Sequence, residues 1–139
     1  MRIRVLSDLH LEFKDWNPPK VDADVIVLAG DIHVGVKGIA WARQSFPSIP
    51  IVYVPGNHEF YGEHVHDMTQ ELVTEGRRLG VEVLVGRSIV IGGVRFLGAT
   101  LWTDFALGGT DPSSINRAMA DSFQVQSIRS ESRLCQRSE

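Results

Sequence analysis

The stretch Ile51-Val52-Tyr53-Val54-Pro55-Gly56-Asn57-His58-Glu59 joins a short apolar run to a polar cluster through Pro-Gly. Such a run reads as a β-strand, and its end as a loop with polar work to do. The same pattern stands twice upstream. Arg2 to Leu6 alternates as a strand does and runs into Ser7-Asp8-Leu9-His10. The nearly continuous apolar run from Asp24 to Ala29, with Val25, Ile26, Val27 and Leu28, stops at Gly30-Asp31. That continuity predicts a strand covered on both faces, as in a parallel sheet. Between the second and third runs, Gly35 to Phe46 has the length of a helix and supplies the crossover that parallel strands need. Trp16-Asn17-Pro18-Pro19 breaks any helix, so residues 11–22 read mainly as loop.

Downstream, Val65, Met68, Leu72 and Leu79 recur at helical steps, and Gly80 supplies a stop, which predicts a helix from His64 to Leu79. Val81 to Val85 reads as a further strand. Ile89-Val90-Ile91 and Val94 to Leu97 flank Gly92-Gly93, a two-residue hairpin signal. Asp111-Pro112 is placed to cap a helix through about Phe123, with Ile115, Met119 and Phe123 on one face. Beyond Ile128 the pattern collapses, and Arg129 to Glu139 holds only Leu134 and Cys135 as apolar groups. The expected organisation is one domain over residues 1–128 and a polar, disordered tail over 129–139.

The 139-residue length fits a single domain, and 43% hydrophobic against 22% charged residues permits a packed core. With 14 basic and 17 acidic residues the net charge is −3, so nucleic-acid binding by bulk charge is disfavoured, whereas a nucleotide-sized substrate held through metal is not. Cys135 is the one cysteine, which excludes a disulfide framework and a Cys-based zinc site and suits a reducing compartment. The N-terminal apolar stretch is broken by charge within a few residues, and no run approaches the ~20 apolar residues of a membrane span. The expectation is a cytoplasmic protein with no membrane partner.

Asp8 and His10 lie two apart, so in an extended segment their side chains point the same way and one cation could bind both. In parallel α/β sheets ligands collect beyond the carboxyl ends of the strands, where Asp8-His10, Asp31 and Asn57-His58 would all gather. Carboxylate, imidazole and amide oxygen suit Mn, Fe, Zn, Ni or Mg rather than thiophilic ions. Asp31 is the candidate bridge between two divalent ions ~3.5–4 Å apart.

With Asp8-Leu9-His10, Gly30-Asp31 and Gly56-Asn57-His58-Glu59 in order, the sequence resembles the calcineurin-like metallophosphoesterases, whose D-x-H, GD and GNHE blocks these match. The resemblance runs from about Met1 to Phe105. It implies an α/β fold, a four-layer αββα sandwich of mixed sheets, here C-terminally incomplete. It also implies a dinuclear centre that hydrolyses phosphomonoesters or phosphodiesters. By the same resemblance Asp8 and His10 hold the first ion, Asp31 bridges, and Asn57 binds the second ion. His58 is then the catalytic histidine, stabilising phosphoryl charge or protonating the leaving oxygen while activated water attacks in line.

The departure from the family is that the later lone histidine and the Gly-His-x-His block, which complete both metal sites in full members, are not found in this sequence. The five histidines here are His10, His33, His58, His64 and His66. His64-Val65-His66 opens a helix, where side chains two apart diverge, so it is read as capping or solvated. His33 is read as a loop histidine, with contact to a substrate phosphate as the other reading. Glu59 is open between a partner behind the ligands and a helix N-terminal charge. Trp102 reads as core or sheet-edge packing rather than cleft lining. The alternative to an enzyme is an impaired relative, a metal-binding or self-associating module that forms homo-oligomers through exposed sheet edges. A nuclease of the same superfamily is a third reading.

Overall fold

A computed structural model of the chain describes residues 1–102. The expected helix from Asp111 to about Phe123, the domain boundary at 128 and the tail over 129–139 lie outside the described residues. Four strands form one parallel sheet in the order β1 (Ile3–Leu6), β2 (Val25–Ala29), β3 (Ile51–Val54) and β4 (Glu82–Val83). The helices α1 (Lys37–Ser45) and α2 (Val65–Leu79) provide the crossovers, and residues 11–22 carry no helix or strand. The antiparallel pair β5 (Arg87–Ile91) and β6 (Val94–Gly98) makes a second sheet.

Each face of the parallel sheet is buried by a different layer. On one side Ile26, Leu28, Ile51 and Tyr53 pack with Ile39 and Ala42 of α1 and with Met68 and Leu72 of α2. On the other, Val25, Val52 and Leu84 pack with Val27, Val54, Ile89, Ile91 and Phe96, so the hairpin covers the sheet. The continuous apolar run of β2 is thereby explained, since side chains on both its faces leave water. β1 differs: Ile3 is 42% and Val5 61% exposed, so this end strand has one open face.

Local rules fix the ends. Gly80 closes α2 in the left-handed conformation at φ 66, a conformation that costs glycine little. Gly92 and Gly93 both have positive φ, as a two-residue primed turn requires, and set Ile91 opposite Val94. Arg43 donates through Nε to the Leu79 carbonyl at 2.9 Å and through a terminal nitrogen to the Phe46 carbonyl at 2.9 Å, satisfying carbonyls at the ends of both helices. The strand expected over Val81 to Val85 is shorter than its apolar pattern. Pairing is confined to Glu82–Val83, and the chain then turns at Gly86, φ 62, to enter the hairpin.

Candidate metal centre

The register pairs Leu6 with Leu28 and Ala29 with Val54, so β1, β2 and β3 finish side by side and their following loops share one rim. The loops are laced together beyond the strands. Asp8 N–H donates to the Gly30 carbonyl at 3.0 Å, His10 N–H to that of Asp31 at 3.0 Å, and Leu11 N–H to that of Ile32 at 2.9 Å. Along this stretch Asp8, His10 and Asp31 hold φ of 53, 46 and 55, and they are the only non-glycine residues with positive φ among those described. The extended geometry expected for Asp8 and His10 is therefore corrected. They converge through left-handed turns imposed by the cross-loop hydrogen bonds, not through strand alternation. Left-handed non-glycine residues cost free energy that the surrounding contacts must offset, and such strain clusters at functional sites.

Two glycines allow the close approach. A Cβ on Gly30, itself at φ 92, would lie 3.1 Å from Gly56 Cα, and one on Gly56 would lie 2.7 Å from the Asp31 backbone nitrogen. With neither present, Asp31 Oδ1 sits where the His58 backbone N–H donates to it at 2.9 Å. Glu59 is fully buried, in the first turn of the short 3-10 helix His58–Phe60. Its Oε2 accepts the amides of Asp31 (3.1 Å) and Gly56 (2.8 Å), and its Oε1 accepts that of Ile32 (2.9 Å) and the Tyr53 hydroxyl (2.7 Å). It stands behind the loops that carry Asp31 and Gly56 and holds both. Burial, and then the Glu59 charge, push the Tyr53 hydroxyl well above its ordinary pKa.

Ligand atoms of Asp8, His10 and Asp31 all lie within 4.8 Å of one another. Asn57 is exposed and lines the same open cleft of about 800 Å³ as Asp8 and Asp31. Its Nδ2 donates to the Tyr61 hydroxyl at 2.8 Å, which leaves the amide oxygen as its acceptor. The His58 ring lies edge-on to His10, with centroids 4.3 Å apart, and against Tyr61 at 4.2 Å. All five residues singled out by sequence thus meet at one end of the sheet. His64 and His66 do not join them: His64 precedes α2, and His66 sits beside Gln70 on that helix. His33 is half-buried, with Nδ1 shielded from water and without a hydrogen bond. The Trp102 ring packs 5.5 Å from that of Phe60 but stays 44% exposed.

Glu12 escaped the sequence reading. Its Oε1 lies 2.8 Å from His58 Nδ1 and 3.3 Å from His10 Nδ1, and Glu12, His10 and His58 form a second group of ligand atoms within 4.8 Å. Desolvation raises the Glu12 pKa, but hydrogen bonds from its own backbone and from His58 and His10 outweigh it and hold the carboxyl below its usual range. The one signal for it was the two-residue step Asp8, His10, Glu12.

A carboxylate–imidazole cluster that could hold a metal ion, at the carboxyl edge of a parallel sheet covered by a hairpin on one face and helices on the other, defines an α/β sandwich with a candidate metal site. The calcineurin-like phosphoesterase family pattern matches residues 1–135, and the chain belongs to that family. Uncharacterized protein L509 of Acanthamoeba polyphaga mimivirus is 29% identical over 151 residues, which cover 92% of this chain and 53% of that protein. The crystal structure of phosphopantetheinyl hydrolase PptH from Mycobacterium tuberculosis shares the fold with a TM-score of 0.54 and 19% identity, over 87% of this chain and 50% of that one. The chain spans about half the length of these two relatives.

Proposed function

We propose that this chain carries the metal-binding half-site of a phosphate-ester hydrolase, acting on a phosphomonoester or phosphodiester. The observation that carries the reading is the cluster of Asp8, His10 and Asp31 ligand atoms within 4.8 Å at the rim where His58 also sits. The donor set of carboxylate, imidazole and amide oxygen fits Mn, Fe, Zn, Ni or Mg. Asp8 and His10 would hold a first ion, Asp31 would bridge, and Asn57 would hold a second. When bound, such ions polarise a phosphoryl oxygen and acidify water.

The chain's own groups do the rest. His58 is positioned to give a proton to the departing ester oxygen or to offset the phosphoryl charge. Arg87 is the one Lys or Arg lining the cleft among the described residues, and it would attract the anionic ester. Cys135, alone and without a disulfide partner in the chain, accords with a cytoplasmic setting.

The test is turnover of bis-p-nitrophenyl phosphate by manganese-loaded protein. Asp31→Asn is expected to abolish metal-dependent turnover, and unchanged turnover would rule the mechanism out.

A second reading, a self-associating metal-binding module, is favoured by the exposure of Ile3 and Val5 on β1, an end strand among those described. Light scattering during a manganese titration separates the two. A monomer with high turnover excludes the module.

A further inference from the structure

We propose that Glu12 is the positioning residue of His58, accepting the Nδ1–H of the ring so that Nε2 is the nitrogen left for proton exchange with substrate. The chemical use of that nitrogen rests on the phosphate-ester reading above; the positioning itself does not.

The geometry is specific. Glu12 Oε1 stands 2.8 Å from His58 Nδ1, and both side chains are largely shielded, at 13% and 15% exposure. A carboxylate can only accept, so the nitrogen facing it must carry hydrogen. Shielding from water strengthens such a charge-assisted bond relative to an exposed one. The competing contact, to His10 Nδ1, is longer at 3.3 Å, so His58 holds the closer place on the shared oxygen. The partners are separated by 46 residues and are brought together by fixed backbone on both sides. Leu11, buried at 7% exposure, anchors the Glu12 side by donating its backbone N–H to the Ile32 carbonyl, and the His58 backbone N–H donates to the Asp31 carboxylate. The ring is packed as well, edge-on by His10 and at a 35° tilt by Tyr61. With its planes packed and Nδ1 engaged, the ring has one tautomer and one orientation to offer.

The readout is the tautomer, which requires no turnover. The full 139-residue chain, labelled with ¹⁵N-histidine and kept with magnesium, is compared with Glu12→Ala and with His58→Ala for assignment, at about pH 9, above the ordinary imidazole range. His58 of the unsubstituted chain is expected in the Nδ1–H form, and Glu12→Ala is expected to shift it toward the Nε2–H form while the backbone amide signals of the other histidines are kept. An Nε2–H form in the unsubstituted chain, or a tautomer unmoved by Glu12→Ala, overturns the proposal. Should Glu12→Ala not fold, the tautomer of the unsubstituted chain decides alone. Loss of hydrolysis in Asp31→Asn tests the phosphate-ester reading separately, so either can fail without the other.

Discussion

Glu59 and Asp31 stand 28 residues apart in sequence, yet the buried Glu59 carboxylate accepts the Asp31 amide at 3.1 Å and fixes the backbone of a candidate ligand whose residue lines the cleft. Each Glu59 oxygen takes two donors. A glutamine there keeps one accepting oxygen and turns an NH₂ group toward two hydrogens. Glu59→Gln is therefore expected to lose two charge-assisted bonds, about 3 kcal/mol by a lower value of ~1.5 kcal/mol each. Urea unfolding checks the stability. Calorimetric manganese titration checks the site, where loss of this support should weaken affinity ~10–100-fold.

Gly56→Ala tests the same loop from the other side. The added Cβ would lie 2.7 Å from the Asp31 backbone nitrogen and 2.8 Å from Asp31 Cγ, and backbone cannot swing aside as a flexible side chain can. The substitution is expected to cost ~1–3 kcal/mol by overpacking and to displace Asp31. Manganese affinity should fall in parallel; unaltered binding with lowered stability would show that Asp31 need not hold this position.

Gly76 gives a case in which helix propensity and packing oppose each other. In a helix interior, glycine to alanine ordinarily gains ~1 kcal/mol. Here the new methyl would meet Val83 Cγ2 at 2.5 Å and the Val81 carbonyl oxygen at 2.8 Å, because α2 lies directly against β4. Packing outweighs propensity, and Gly76→Ala is expected to lower the thermal midpoint. A raised midpoint would mean that the helix can slide outward at little cost.

The elements were legible wherever one local rule acted alone. β-branched runs ending in glycine and a polar cluster gave β2 and β3, the Met68–Leu72 stripe gave α2, and paired glycines gave the hairpin turn. The site was legible as a set of residues but not as a shape. Left-handed Asp8, His10 and Asp31 run against the preference of every L-residue, and what enforces them is hydrogen bonding between loops more than 20 residues apart in sequence. Glu12 was missed for the same reason: its partner His58 is 46 residues away, and neither residue's local pattern names the other. Places where local preference and final geometry disagree are where function is expected to sit.

Tyr53 predicts an alkaline limb to stability. Burial and the Glu59 charge raise its pKa in the folded state, so the folded protein retains this proton at pH values where the unfolded chain releases it. The stabilisation is fully present below the unfolded value of about 10 and is lost progressively as the pH rises above it. Urea midpoints should fall above that pH, and tyrosinate absorbance of Tyr53 should appear only with unfolding. Tyr53→Phe should flatten the limb while lowering stability at neutral pH, since Glu59 loses a donor. A tyrosinate signal from Tyr53 in the folded protein would contradict the burial argument.

Arg87 lines the cleft at the start of β5, on the layer opposite the helices, and is exposed. A guanidinium there would contact the anionic ester equally in the ground and transition states, which lowers KM without raising kcat. Arg87→Ala is expected to raise KM about tenfold, the equivalent of ~1.4 kcal/mol, with kcat unchanged. Because the charge is open to solvent, the difference from the unsubstituted protein should shrink as salt rises from ~0.01 M to 1 M and the screening length contracts from ~30 to ~3 Å. A fall in kcat at constant KM would instead place Arg87 on charge that develops during the reaction, and no change in either would remove it from the substrate's path.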